Sequence, residues 1–288
     1  MSKKRILITG SGSYVGTNLI KWLSQWPNKF EIEAISVRGE EWKKKDFSKY
    51  DSVLHVAGIA HVSTDPKMEE QYYKVNRDLT IEVAEYAKSN GVRQFIFMSS
   101  IIVYGESGSD KRIIDRNTFP MPSNFYGNSK LQAEEGINLL EGDDFKVVVV
   151  RPPMIYGKNS KGNYPKLAKV ARVVPVFPDF DNQRSMLHID NLSEFLRLMV
   201  ENEECGLFFP QNKEYVKTSE MVRYIAEVHG KKMVLTKIFN APLKLLALKI
   251  GLINKVFGHL VYEQSMSNYK AKYMIRDFKE SIKVTEID

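Results

Sequence analysis

Apolar and polar positions along the first half of the chain switch between two periods. Arg5 to Thr9 is a short β-rich run; Val15, Leu19, Trp22 and Leu23 then recur at helical spacing, and Trp26-Pro27 ends that helix. Glu31 to Val37 reads as a second strand, and Val53 to Ala57, Gln94 to Met98 and Lys146 to Val150 as further strands. Helical patterns around Val75–Ser89 and Tyr126–Leu140 lie between them. Strands alternating with helices predict right-handed βαβ units and a parallel sheet buried on both faces. The second half is less regular. Residues 159–180 are rich in Pro and Lys, and from Phe209 onward helices mix with short strands, the pattern of a smaller lobe. No internal repeat, low-complexity segment or Pro/Gly/Ser linker divides the chain.

Composition narrows the picture. With 288 residues, 43% of them hydrophobic and 11% aromatic, the chain buries a full-sized core and is too apolar to be a disordered tail. The net charge of +7 comes with short basic runs at Lys43-Lys44-Lys45 and Lys231-Lys232 but no nucleic-acid motif. A solvated surface that attracts small anions is expected, and no nucleic-acid partner. A lone cysteine, Cys205, excludes a disulfide scaffold and fits a reducing compartment. Three apolar residues after Met1-Ser2-Lys3-Lys4-Arg5 are too few for a signal peptide, so a cytoplasmic location is expected. The most apolar stretch, Ile238 to Val261, is interrupted by Lys244, Lys249 and Lys255 and cannot form a membrane span. Leu243, Leu246, Ala247 and Ile250 share one helical face, the pattern of a lobe helix packed on the core or of a helix on a membrane surface. The five histidines lack metal-ligand spacing, and His55 and His188 read as satisfied buried imidazoles; no metal is expected.

The apolar run Lys3–Thr9 leads into Gly10-Ser11-Gly12-Ser13-Tyr14-Val15-Gly16 and then a helix. Glycines in a strand–turn–helix let the backbone approach a pyrophosphate held at the positive end of the helix. His55-Val56-Ala57-Gly58 and Ser99-Ser100-Ile101-Ile102-Val103-Tyr104-Gly105 each follow a strand, and Tyr126-Gly127-Asn128-Ser129-Lys130 opens a helix. In this order they resemble the extended short-chain dehydrogenase/reductase family, in its sugar-nucleotide epimerase/dehydratase branch. Arg151-Pro152-Pro153-Met154-Ile155-Tyr156-Gly157 resembles the branch's segment after the sixth strand, and Arg184 to Leu192 its substrate-lobe return.

The resemblance implies a Rossmann-type doubly wound parallel sheet with a smaller C-terminal α/β substrate lobe. Residues 1–157 would form the dinucleotide-binding domain, with a return segment at about 181–205; residues 158–180 and 206–288 would form the lobe. It also implies NAD or NADP as cofactor, a nucleotide-sugar substrate with UDP as carrier, and a homodimer through the helices around Val75–Ser89 and Tyr126–Leu140. Tyr126 would take the proton of a sugar hydroxyl, Lys130 would tune it and hold the nicotinamide ribose, and Ser100 would bind the same sugar oxygen. Tyr126 and Lys130, four apart, share a helix face. A phenol titrates near pH 10, and a neighbouring ammonium would lower that value. The cofactor would lie against Gly10, Gly12, Ser13, Tyr14, Val15 and Gly16, against Val56, Ala57, Gly58, Asn76, Ser99 and Pro153, and against the Asp46-Phe47 pair at its adenine. Asp46 and Asn76 also read as a loop acid and a helix-interior hydrogen bonder.

The chain departs from the branch's pattern at several positions. The middle glycine of TGxxGxxG is Ser13, with Gly12 one place earlier. The acid expected at the end of the second strand is Ser36, with Arg38 nearby; an acid suits the NAD ribose, whereas Arg suits the NADP phosphate. Ile101 and Ile102 replace the Asp-Glu pair of the 4,6-dehydratases and cannot transfer protons, which leaves 4-epimerase or NADPH-dependent 4-ketoreductase. A non-catalytic dinucleotide sensor is a further alternative, and it would be expected to lose Tyr or Lys. Met154 replaces a substrate-binding Asn, so Arg184 is the candidate pyrophosphate contact; an ion pair with Asp181 or Asp190 is the competing reading.

Overall fold

The computed structural model describes residues 3–60, 65–107, 113–247 and 256–287. The chain divides into two compact units: Met1–Gly105, Phe119–Pro152 and Leu192–Pro210 form the first, and Glu106–Thr118, Pro153–Asn191 and Gln211–Asp288 the second.

In chain order the first unit comprises β1 (Lys4–Thr9), α1 (Tyr14–Leu23), β2 (Phe30–Ile35), β3 (Ser52–His55), α2 (Leu79–Ser89), β4 (Gln94–Met98), α3 (Phe125–Asn138), β5 (Lys146–Val150), α4 (Ile189–Glu201) from Leu192 onward, and β6 (Gly206–Phe208). The strands form one sheet of order β6-β5-β4-β3-β1-β2, parallel at every pairing. Every residue of β3 and β4 is buried, whereas the edge strands β2 and β6 alternate or face solvent. That is how a sheet covered on both faces reads in sequence. Phe95, Phe97, Val147 and Val149 of the sheet pack with Val83, Ala87, Ala133 and Ile137 of α2 and α3.

Chain order reverses between β1 and β3, and the carboxyl ends of strands at such a reversal are where sheets of this kind bind ligands. β3 stops at His55, two residues before the apolar run does, because the N–H groups of Val56 and Ala57 both turn to the Thr9 carbonyl at 3.0 Å. The helical pattern expected around Val75–Ser89 is in two parts, a π-helical turn over Tyr73–Asp78 and then α2.

The second unit holds three two-stranded parallel pairs: Met154–Tyr156 with Met186–His188, Val176–Pro178 with Val234–Thr236, and Ile113–Ile114 with Val261–Tyr262. Helices Asn163–Val173, Thr218–Val228 and Phe278–Ile287 enclose its core of Tyr156, Tyr164, Leu167, Met221, Ile225 and Ile282. Within the apolar stretch 238–261, Asn240–Ala247 is helical, Val256 and Phe257 pack on this core, and 248–255, with Ile250, lie outside the described residues. Among the described residues no helix is long and apolar enough to cross a membrane.

Candidate active site

The β1–α1 turn is shaped by what its glycines lack. Gly10 has φ +119°, and a Cβ there would stand 2.8 Å from the Ala57 nitrogen. Two loops at the switch point therefore approach backbone to backbone, as only glycine permits. A Cβ on Gly12 (φ +75°) would meet open space. Ser13, in place of the family's middle glycine, is the N-cap of α1, its Oγ accepting the Gly16 N–H at 3.1 Å. Gly16 packs against Ile8 of β1, where a Cβ would come within 3.0 Å of the Ile8 side chain. A close-approach turn at the positive end of a ten-residue helix fits a dinucleotide pyrophosphate. Tyr14 and Val15 open that helix.

Val56, Ala57 and Gly58 follow β3. Asn76, fully buried in the π-helical turn, clamps the next residue: its Oδ1 accepts the Ile59 N–H at 2.8 Å and its Nδ2 donates to the Ile59 carbonyl at 3.0 Å. Nδ2 also reaches Ser129 Oγ at 3.3 Å, tying this loop to α3. A Cβ on Gly58 would lie 3.0 Å from Asn76 Oδ1 and 3.3 Å from Lys130 Nζ. Gly58, Asn76 and Lys130 thus form one cluster. His55 beneath it meets Thr9 Oγ1 at 2.8 Å and Thr80 Oγ1 at 3.2 Å. Burial, reinforced by the Lys130 charge, lowers its pKa to about 3. His188 is likewise buried and bonded, and burial lowers it to about 4, with Asp190 opposing. Both are satisfied neutral imidazoles.

Ser100, Tyr126 and Lys130 come together in the first unit. Ser100 caps the short 3-10 helix Ile101–Tyr104, its Oγ accepting the Ile102 N–H at 3.3 Å, and its hydroxyl also bonds to Tyr126. Asn124 caps α3 through the Gly127 N–H, which sets Tyr126 in the first turn. The Tyr126 ring packs against Tyr72 at 5.8 Å. Lys130 is buried; its Nζ donates to the Met98 carbonyl at 2.9 Å and sits 4.5 Å from the Phe97 ring centre. Burial lowers its pKa to about 8, while the Glu134 charge one turn further on opposes the shift.

The phenol differs from expectation. Burial pushes Tyr126 up to about 12, and the Ser100 hydrogen bond only partly offsets it. The ammonium turns toward a main-chain carbonyl rather than the phenol, so it does not lower the phenol by itself.

A buried ionic network joins residues from three separate segments of the sequence. Arg151 Nε donates to both Glu134 oxygens at 3.0 and 3.1 Å, and its Nη1 donates to the Tyr104 hydroxyl at 2.7 Å. Ser99 Oγ donates to the same carboxylate. Glu134 follows Lys130 by four residues on one face of α3 and is the one member of the network outside the segments that carry the family resemblance.

Other predicted site residues make contacts of their own. Arg38 is exposed just beyond β2, its N–H bonded to Ser36 Oγ at 3.2 Å. Asp46 closes a turn on the Ser48 N–H and hydroxyl at 3.0 and 2.6 Å. The Phe47 ring is fully buried between Trp42 and Tyr86, so its side chain is core and only its main chain can face a ligand. Pro153 and Arg184 belong to the second unit. Arg184 makes no ion pair with Asp181 or Asp190: Asp190 pairs with Arg276, and Arg184 Nη1 donates only to the Gly258 carbonyl at 3.3 Å. Its Nε is buried without a partner beside a cavity of about 10 Å³ lined by Met154, Asn163, Leu167, Met186 and Thr218. Burial lowers its pKa to about 10.

A glycine turn at a switch point, with a hydroxyl–phenol pair beside a buried lysine, defines a dinucleotide-dependent enzyme acting on a hydroxyl or carbonyl carbon. The chain belongs to the NAD-dependent epimerase/dehydratase family, whose family model matches residues 6–207. It is 32% identical to the UDP-glucose 4-epimerase of Vibrio cholerae over 77% of this chain and 75% of that protein. It is 28% identical to the N-acetyl-alpha-D-glucosaminyl-diphospho-ditrans,octacis-undecaprenol 4-epimerase of Escherichia coli O157:H7, covering 79% and 73% of the two chains. Its fold matches that of a dTDP-4-dehydrorhamnose reductase from Clostridium acetobutylicum with a TM-score of 0.74 at 18% identity, over 98% of each chain.

Proposed function

We propose that this chain interconverts the C4 epimers of a UDP-linked hexose through a transient 4-keto sugar. The observation that carries the reading is the Ser100–Tyr126 hydrogen bond set beside the buried ammonium of Lys130. Ile101 and Ile102 directly after Ser100 offer no group for dehydration.

In this reading the sugar O4 bonds to Ser100 and Tyr126; the positive charge of an oxidised nicotinamide bound beside the phenol would favour its phenolate, and that phenolate accepts the O4 proton. The chemistry supplied by bound NAD(P) is acceptance of the C4 hydride and its later return. Tyr126 gives the proton back to O4 when the other face of C4 is reduced. Lys130, with a pKa of about 8, is mostly protonated at neutral pH and supplies positive charge beside Gly58 and Asn76, where the nicotinamide ribose would lie. The turn from Gly10 to Gly16 holds the cofactor pyrophosphate, and Arg38 is the contact for a 2′-phosphate. Arg184 meets the diphosphate of the substrate. The Escherichia coli relative supports a second reading, in which that diphosphate is esterified to a polyprenol instead of uridine.

The test is a panel of UDP-hexoses, their 4-keto derivatives and polyprenyl-diphosphate sugars, followed by sugar NMR and by absorbance at 340 nm. Epimer formed without net cofactor oxidation upholds the epimerase, stoichiometric NADPH loss replaces it with a ketoreductase, and nucleotide binding without turnover makes the chain a sensor. Tyr126→Phe is expected to lower turnover about 10²–10⁴-fold. Undiminished epimerisation by that variant would remove Tyr126 from the reaction.

A further inference from the structure

The positive charge of this protein has a particular address. From His229 to Tyr262 the sequence holds six lysines and no Asp or Glu, so six of the seven net positive charges lie in a stretch that is otherwise mostly apolar. The same stretch contributes to an unusual surface of the second unit. Arg172 to Val176 is exposed at all five positions, and the register places Val176 beside Val234, both exposed, on neighbouring strands. The Val234 N–H donates to the Pro175 carbonyl at 2.9 Å, and Asn240 Nδ2 donates to the Asp179 carbonyl at 2.9 Å. Segments 172–179 and 231–240 therefore run side by side as one surface. On it Val173 is 72% and Ile238 81% exposed, with Val174 and Phe239 also open to solvent. Lys231, Lys232 and Lys237 are exposed at its border.

We propose that this surface docks the protein on an anionic lipid bilayer. Exposed aliphatic and aromatic side chains among lysines match the layered chemistry of a membrane boundary, apolar below and negatively charged above. Residues 229–262 carry no carboxylate, and Asp179, the acid within 172–179, is paired with Lys217 at 2.8 Å, so the surface presents little negative charge to repel the lipid. The attachment is peripheral and salt-sensitive, and it is independent of which sugar is epimerised. It would bring the enzyme to substrates or partner enzymes held at the bilayer.

The experiment is cosedimentation of the full chain with vesicles of phosphatidylcholine alone or mixed with phosphatidylglycerol. Binding is expected only to the mixed vesicles and to weaken as salt rises. Each of Lys231→Gln, Lys232→Gln and Lys237→Gln is expected to lower partitioning roughly fivefold, and Ile238→Ser with Phe239→Ser to abolish it, with circular dichroism and cofactor binding unchanged. The proposal is overturned by sedimentation that ignores the anionic lipid or these substitutions. It is also overturned if Ile238→Ser with Phe239→Ser converts a dimer to a monomer in light scattering, which would assign the surface to a second copy of the chain. Retention on heparin that mixed vesicles fail to compete would assign it to a polyanion instead.

Discussion

Arg151 in the first unit is buried, and Arg184 in the second is half-buried with its Nε closed off from solvent, yet their surroundings are opposite. Arg151 is gripped by both oxygens of Glu134 and by the Tyr104 hydroxyl. Among the described residues Arg184 has one side-chain contact, to a carbonyl at 3.3 Å, with an unpartnered Nε and no carboxylate. A buried charge that is fully paired holds structure together, and a buried charge left short of partners is suited to an anion from outside. The histidines show a third solution. His55 and His188 are buried by being kept neutral.

Breaking the paired charge should have the largest effect. Arg151→Met leaves Glu134 buried and uncompensated and is expected to cost about 3–5 kcal/mol of stability in urea titration. Arg151→Met combined with Glu134→Leu should recover most of that loss, because both charges are then gone. A double variant as unstable as the single one would mean that the network does more than neutralise charge.

Arg184→Met should do the reverse. Folding stability stays level or rises, while calorimetric affinity for UDP and UDP-hexoses falls about 10–100-fold, the loss of a charged hydrogen bond of about 1.5–3 kcal/mol. Unchanged UDP affinity would end the role assigned to Arg184.

The neutral histidines predict an effect that appears only in acid, and its sign is fixed. Unfolded imidazoles protonate near pH 6.5, whereas His55 and His188 hold out to about 3 and about 4 in the folded chain. The unfolded state then binds more protons between those values, so stability is complete above about pH 6.5 and falls as the pH drops below it. The slope is at most about 1.4 kcal/mol per pH unit for each histidine. His55→Gln should flatten the slope, read as urea midpoints at pH 5 and pH 7.

The sheet was largely legible because each central strand is a continuous apolar run and each helix repeats at its own period. Gln94–Met98 and Lys146–Val150 match the sequence expectation residue for residue. Tyr126 and Lys130 were legible as neighbours because i and i+4 share a face on any helix. The Arg151–Glu134 pair was not, since it joins a helix to the end of a strand and no local spacing encodes such a contact. The direction of the Tyr126 shift was hidden for a related reason: it depends on how the phenol is buried and on where the Lys130 ammonium points. That the Phe47 ring is core was not legible either, because an aromatic after a loop acid reads alike whether its ring faces a ligand or the core.

The π-helical turn at Tyr73–Asp78 makes this part of the gene sensitive to length as well as to spelling. Each residue advances an α-helix by about 100°, so deleting one from this turn would restore ordinary winding and swing Asn76 off Ile59 and Ser129. Lys74, exposed in the same turn, should accept most replacements. A single-codon deletion beside it should disconnect the loop after β3 from α3, a lesion that a substitution scan would not reveal.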